Sequence, residues 1–105
     1  MVDDEVLTPT PTEEIAINTH SLIRTGAYGL YHMSSEGECS WYEFARVIFN
    51  TLNLKTPLVP CSVRDFPSPV KRPHYSVLEN QNLKKINLNQ MSYWKDSLIA
   101  FLKAL

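Results

Sequence analysis

Glycine is scarce in this chain. Of 105 residues only Gly26, Gly29 and Gly37 are glycine. A phosphate-cradling GxGxxG or GxxGxxG turn needs three close glycines, so that spacing excludes a dinucleotide-binding turn and a P-loop. A second chemistry is missing for a similar reason. Tyr28, Tyr31, Tyr42, Tyr75 and Tyr93 are followed four residues on by His32, Ser35, Arg46, Glu79 and Ser97. There is thus no Tyr-x-x-x-Lys pair to lower a phenol's pKa for proton transfer. The two cysteines, Cys39 and Cys61, have no CxxC spacing and no adjacent histidine, which points to reduced thiols and a cytoplasmic setting. His20, His32 and His74 are isolated in sequence and show no metal-ligand spacing, so no metal is expected. His32, inside an apolar stretch, reads as a satisfied core or interface histidine.

Strong charge is absent as well. The formal net charge of -1 gives no electrostatic reason to expect nucleic acid or an anionic membrane as partner. The pairs Lys71-Arg72 and Lys84-Lys85 read as solvated surface. No apolar run approaches the roughly 20 residues that span a bilayer. The acidic start "MVDDEV" lacks an apolar h-region and does not read as a signal peptide.

What is present reads as one soluble domain of order helix, strand, helix, strand, helix. That order predicts a small α/β unit of about three helices around a short, mainly parallel sheet. "TPTPTEEIA" is an opening loop and helix start, with Thr12 as N-cap and Glu13 and Glu14 in the first turn. Ile15, Asn18/Thr19, Leu22 and Ile23 form a mixed inner stripe, and Gly26 offers the stop. "YGLYHMS" reads as a strand buried on both faces.

"CSWYEFARVIF" gathers a thiol, an indole, a phenol, a carboxylate and a guanidinium, yet most of it is helix grammar. Ser40 and Glu43 make a capping box. Trp41, Ala45, Ile48 and Leu52 follow at helical spacing, with Phe44 and Phe49 beside them. Tyr42 and Arg46 form an i,i+4 surface pair. From Pro57 to Pro73 the chain holds five of its seven prolines. Leu58 to Val63 predicts one short edge strand, and the rest a long, stiff connection of the kind that is functional or disordered. "QNLKKI" predicts one helical turn. The last helix carries Trp94, Leu98, Phe101, Leu102 and Leu105 on its inner face.

One segment carries a recognition signal, "KRPHYSVLEN". Pro73 biases Arg72 to an extended backbone, where Lys71 and Arg72 point to opposite sides. The planar fork of Arg72 suits phosphate oxygens. The alternative, that Arg72 pairs with Asp65 or Glu79 to pin the loop, stays open on the residues alone.

"VDDEVLTPTPTEEIA", "GLYHMSSEGECSWYEFARVIF" and "RPHYSVLEN", with the closing "WKDSLIAFL", together resemble the C-terminal part of the dTDP-4-dehydrorhamnose reductase family of extended short-chain dehydrogenase/reductases. The resemblance runs over essentially the whole chain. It implies that residues 1–105 are a substrate-binding fragment, with the NADPH-binding Rossmann domain and the catalytic Tyr and Lys absent from it. It implies a dTDP-sugar as partner, NADPH only in the full-length enzyme, no turnover by the fragment, and a face exposed for homodimerisation. Pro9-Thr10 match a Pro-Thr pair of the family, and Arg72-Pro73 with Ser76 match its R-P-x-x-S. Arg72 is the principal candidate contact, with Thr8, Thr10, Tyr75 and Ser76 beside it. Leu7, Pro11 and Glu14 depart from the family's glycine, aromatic and aspartate. A methionine adenosyltransferase regulatory subunit shares this fold without the role, and other nucleotide-sugar epimerases or reductases are further alternatives.

Overall fold

Ser40 and Glu43 close the capping box that the sequence predicts. The Glu43 amide donates to Ser40 Oγ at 3.1 Å, and the Ser40 amide donates to the Glu43 carboxylate at 3.3 Å. That box starts α2, Trp41–Thr51, in a computed structural model that describes residues 1–66 and 68–105. Beside it lies α4, Trp94–Lys103, whose Trp94, Leu98 and Leu102 are buried with Cys39. Phe44, Val47 and Ile48 of α2 pack against that cluster, with the Phe44 and Trp94 ring centroids 6.4 Å apart. Burial of such side chains contributes about 1.5–3 kcal/mol each, and this is the main apolar core.

The inner faces are narrower than the sequence predicts. Trp41 stands at the first helical position of α2 and is exposed, as is Leu52; Ala45 is the helix's buried residue. In α4 the period holds for Trp94, Leu98 and Leu102, while Phe101 and Leu105 face outward. Arg46 lies over the Tyr42 ring at 5.8 Å from its centroid, as an i,i+4 pair should.

The first helix, α1, is Thr12–Ile23. Pro11 occupies its N-cap position and Thr12 is already helical, so the predicted threonine cap does not form. Pro11 fits because its φ of -74° leads into the helix and its missing N–H is no loss there. The inner stripe is also less apolar than expected, since Ile23 and Thr19 are exposed and the buried residue is Asn18. Asn18 Oδ1 accepts the Gln90 amide at 2.9 Å, and its Nδ2 donates to the Glu14 carbonyl at 3.1 Å. The chain leaves the helix through a turn in which Gly26 takes φ +71°, as the stop signal predicts.

The sheet is a correction to the expected mainly parallel one. β1, Val6–Leu7, pairs with β2, Cys39–Ser40, in antiparallel register, Val6 opposite Ser40 and Leu7 opposite Cys39. Among the described residues, parallel pairing occurs only as the isolated bridges Val2–Cys61, Val6–Tyr75 and Glu36–Tyr93. The predicted strand in "YGLYHMS" does not form: Tyr28 is 97% exposed, and Leu30 and His32 also face solvent. A strand needs a neighbour, and side chains bind this segment instead. Asn82 Nδ2 donates to the Leu30 carbonyl at 2.8 Å, and Tyr31 Oη donates to the Ala27 carbonyl at 2.8 Å. His32 is therefore no core histidine.

The predicted strand at Leu58–Val63 reduces to one bridge at Cys61. A 3-10 turn, Val63–Asp65, follows, capped by Ser62 and Asp65. Part of the proline-rich connection, at Pro67, lies outside the described residues. The turn predicted in "QNLKKI" is α3, Gln81–Lys85. The described residues thus give an α/β unit of four α-helices and a two-stranded sheet.

The chain is flat and elongated, 48 × 33 × 19 Å, with a radius of gyration of 16.1 Å. A compact chain of this length has about 13 Å. Its accessible surface is 7461 Å², against roughly 6,000 Å² for a compact monomer of this mass.

Candidate ligand site

The segment of the proline-rich arm after Arg72 runs beside β1. The Val6 amide donates to the His74 carbonyl at 2.7 Å, and the Ser76 amide donates back to the Val6 carbonyl at 2.9 Å. β1 therefore has β2 along one edge and the arm along the other. Side chains two apart in an extended chain share a face. Glu5 with Leu7, and Arg72 with Ser76, accordingly meet in a slot of about 190 Å³, closed by Val6, Pro73 and Trp41. Trp41 reaches it because a residue of the first helical turn leans back toward the helix start.

The structure thus brings Arg72 and Ser76 together and adds two residues that sequence reasoning missed. Glu5 stands in a run of acidic residues with nothing to mark it, yet it is only 9% exposed. Trp41 reads as an inner-face residue from its spacing, and only its place at the cap shows otherwise.

Arg72 makes no ion pair among the described residues. Glu79 is taken by Lys84 at 2.7 Å, and Lys84 also reaches Glu36 at 3.2 Å. Asp65 accepts the Ser62 amide at 3.1 Å. The alternative in which Arg72 pins its own loop through Asp65 or Glu79 is not what the structure holds.

The remaining sequence candidates lie elsewhere. Thr8 Oγ1 donates to the Gly37 carbonyl at 2.7 Å. Thr10 Oγ1 donates to the Thr8 carbonyl at 3.1 Å and accepts the Ser35 amide at 3.1 Å. Both threonine hydroxyls fasten the opening loop to the 34–37 turn. Tyr75 bridges to Val6 through its backbone and does not line the slot. Desolvation, then the neighbouring Glu38 carboxylate, hold its phenol above the usual pKa.

A second, larger concavity of about 980 Å³ lies between the start of α1, α2 and α4. Phe44, Ile48, Ile17 and Phe101 line it, its charged side chains are Glu13, Glu14 and Asp96, and no lysine or arginine does so. Such a lining repels phosphate, so the slot at Arg72 is the better anion-side candidate. Among the described residues no cluster of three His, Cys, Asp or Glu side chains could hold a metal, and no helix is long and apolar enough to cross a membrane.

Comparison with known proteins identifies the family. The family model for the RmlD substrate binding domain matches residues 1–105. Among curated proteins, the chain is 30% identical over 105 residues to the spore coat polysaccharide biosynthesis protein SpsK of Bacillus subtilis, covering 98% of this chain and 36% of that one. It is 34% identical over 103 residues to the dTDP-4-keto-6-deoxy-D-glucose reductase of Streptomyces niveus, covering 93% and 34%. The dTDP-4-dehydrorhamnose reductase of Bacillus anthracis, solved in complex with NADP, superposes with a TM-score of 0.93 at 35% identity, over 99% of this chain and 37% of that one. The orthologue from Clostridium acetobutylicum gives 0.93 at 36% identity, over 99% and 38%. The chain spans about a third of the length of the curated relatives it matches. With a match along its full length, the chain belongs to the RmlD substrate binding domain family.

Proposed function

We propose that this chain is the C-terminal, sugar-nucleotide-holding part of an NADPH-dependent dTDP-4-dehydrorhamnose reductase, which reduces the 4-keto group of the dTDP-sugar to give dTDP-L-rhamnose. One observation carries the reading. Arg72, held on an arm beside β1, has its guanidinium free of any ion pair among the described residues, at the rim of a slot closed by an indole and a hydroxyl. A forked cation in that position suits a diphosphate oxygen pair.

NADPH does not fit the residues present. Gly26 serves a helix end, and Gly37 lies so close under Tyr93 that a Cβ there would fall 2.8 Å from Cδ2. Gly26 leads into no helix before α2, and the Tyr93 ring covers Gly37 ahead of α2, so neither forms an open turn for a pyrophosphate. We therefore assign the cofactor and the catalytic tyrosine and lysine to a Rossmann domain upstream of these residues. The enzyme so completed is assigned to the cytoplasm, in keeping with its two free cysteines.

The flat shape and excess surface support a partner for this chain. In the whole enzyme that partner is the Rossmann domain, and for the chain alone it is a second copy. Titration with thymidine diphosphate, followed by amide chemical shifts, tests the reading. Saturable binding is expected, and Arg72→Ala should weaken it by about one to two decades, the loss of a charge-assisted bond. The chain alone should leave NADPH unconsumed when mixed with the keto-sugar. Absence of binding at millimolar ligand would sink the proposal and favour a non-catalytic module of the same fold.

A further inference from the structure

Residues 28–33, which read as a strand and form none, are unpartnered in a patterned way. Exposure alternates along them: Tyr28, Leu30 and His32 face solvent, while Tyr31 and Met33 are half-buried. Thr19 Oγ1 of α1 donates to Met33 Sδ at 3.5 Å, so the half-buried row turns toward that helix. A period of two is the habit of an extended chain, whose side chains alternate between two faces while its peptide groups alternate between two edges. The two edges differ here. On one, the Leu30 carbonyl accepts Asn82 Nδ2, and the Ser34 N–H and carbonyl both pair with Asn80. On the other, the N–H and carbonyl groups of Gly29, Tyr31 and Met33 bond to nothing among the described residues. Residues 25–35 also contain no Asp, Glu, Lys, Arg or Pro, the residues that ordinarily guard a free strand edge.

An apolar, unguarded edge that follows a helix is the second half of a strand-helix-strand crossover, the unit from which parallel sheets are built. The domain assigned above to the cofactor has such a sheet, open and ending in edge strands. We propose that residues 28–33 add as a strand to an edge of that sheet. Tyr31 and Met33 exchange main-chain hydrogen bonds with its edge strand, and Tyr28, Leu30 and His32 are covered by the other domain. This rests on the reading that a nucleotide-binding domain completes the chain, and it adds where the two halves join. The junction has a consequence for the site. A strand has one register, since a slip of one residue would turn its apolar row over. The strand runs directly into the 34–37 turn, to which Thr8 and Thr10 fasten the loop after β1. One set of directional bonds thus leads from the cofactor's sheet to the slot at Arg72.

The test follows amide hydrogen exchange residue by residue. It is run on this chain, and on a joined protein that carries the chain behind the preceding part of the Bacillus anthracis reductase, in place of that enzyme's matching third. In the chain alone the Tyr31 and Met33 amides should exchange as in an unfolded peptide, while the Leu98 and Leu102 amides of α4 stay slow. In the joined protein Tyr31 and Met33 should slow by about a hundredfold or more, the mark of main-chain bonds in a sheet. Leu30→Lys places a charge on the exposed row. It should leave the melt of the chain alone unchanged and abolish the protection in the joined protein. Slow exchange at Tyr31 and Met33 in the chain alone overturns the proposal, and so does protection that Leu30→Lys leaves untouched. Fast exchange in a joined protein that binds thymidine diphosphate overturns it while leaving the sugar-nucleotide reading intact. Protection without such binding keeps the strand and counts against that reading. A joined protein with neither overturns both.

Discussion

Asn80 offers the sharpest test of how this fold is held. It is 2% exposed. Its amide pairs with the Ser34 peptide in both directions: Oδ1 accepts the Ser34 N–H at 2.9 Å, and Nδ2 donates to the Ser34 carbonyl at 2.7 Å. The same Nδ2 lies 3.2 Å from Asn89 Oδ1. Asn80→Ala strips these partners and leaves two backbone groups of a buried residue without them. Each such group costs about 1–3 kcal/mol when stranded. A water entering the vacated space would recover part of that, so a net loss of about 2–4 kcal/mol is expected. For a domain of this length each kcal/mol moves the midpoint by about 4–8 °C, so a fall on the order of 10–20 °C should appear in a melt followed by the fluorescence of buried Trp94. The control is Asn82→Ala, which removes one exposed bond, from Nδ2 to the Leu30 carbonyl at 2.8 Å, and should cost less than about 1 kcal/mol. If Asn80→Ala costs no more than this control, the claim that polar clamps hold the arm to the 34–37 turn is wrong.

Other perturbations probe separate parts of the structure. Gly37 has φ +85°, and a Cβ there would fall 2.8 Å from Tyr93 Cδ2 and 3.1 Å from Trp94 Cδ1, so Gly37→Ala should destabilise by about 2–4 kcal/mol from strain and overpacking together; urea unfolding checks this. Burial, then the Glu43 charge, pushes the Cys39 thiol up to about 12, so in the native chain at neutral pH a maleimide should label Cys61 and reach Cys39 only as the chain unfolds. Equal labelling rates for the two thiols would contradict its place in the core. Asp4 is held below its usual 3.8 by the Ser62 hydroxyl and then the Val63 amide. Its folded pKa lies below the unfolded one, so its stabilisation is present above the unfolded value and is lost as pH falls through the folded value. Unfolding midpoints should therefore drop below about pH 4, and the acid limb should be shallower in Asp4→Asn.

Local grammar was legible before the structure, and long-range contact was not. The Ser40–Glu43 box and the inner stripe of α4 depend on neighbours three or four residues away; the box stands as read, and the stripe holds at Trp94, Leu98 and Leu102 though not at Phe101 and Leu105. "YGLYHMS" misled because an apolar run says that a segment can be buried, not what lies beside it. Its backbone partners are asparagines near residue 80, and Asn80 itself is 46 positions from Ser34. In the site, Arg72 could be singled out because proline fixes the backbone next to it. Glu5 could not be, since its surroundings arise only when β1 meets an arm about 70 residues further along.

The same contrast explains how a thin scaffold can hold a defined slot. The apolar cluster fixes α2, α4 and β2, and little else reaches it. Hydrophobic burial is non-directional and would leave the opening loop, the 34–37 turn and the arm free to slide. Directional bonds remove that freedom. Asn18 fixes α1 to Gln90, Glu14 accepts the Ser92 amide at 3.2 Å and the Ser97 hydroxyl at 3.1 Å, and Asn80 ties the foot of the arm to Ser34. Thr8 and Thr10 then bind the loop that follows β1 to the same turn. Each of these bonds has a geometry that tolerates displacements of a few tenths of an ångström, so together they set β1 against the arm with a precision that the small core alone does not supply. The walls of the slot are thus positioned by side chains that never touch its contents.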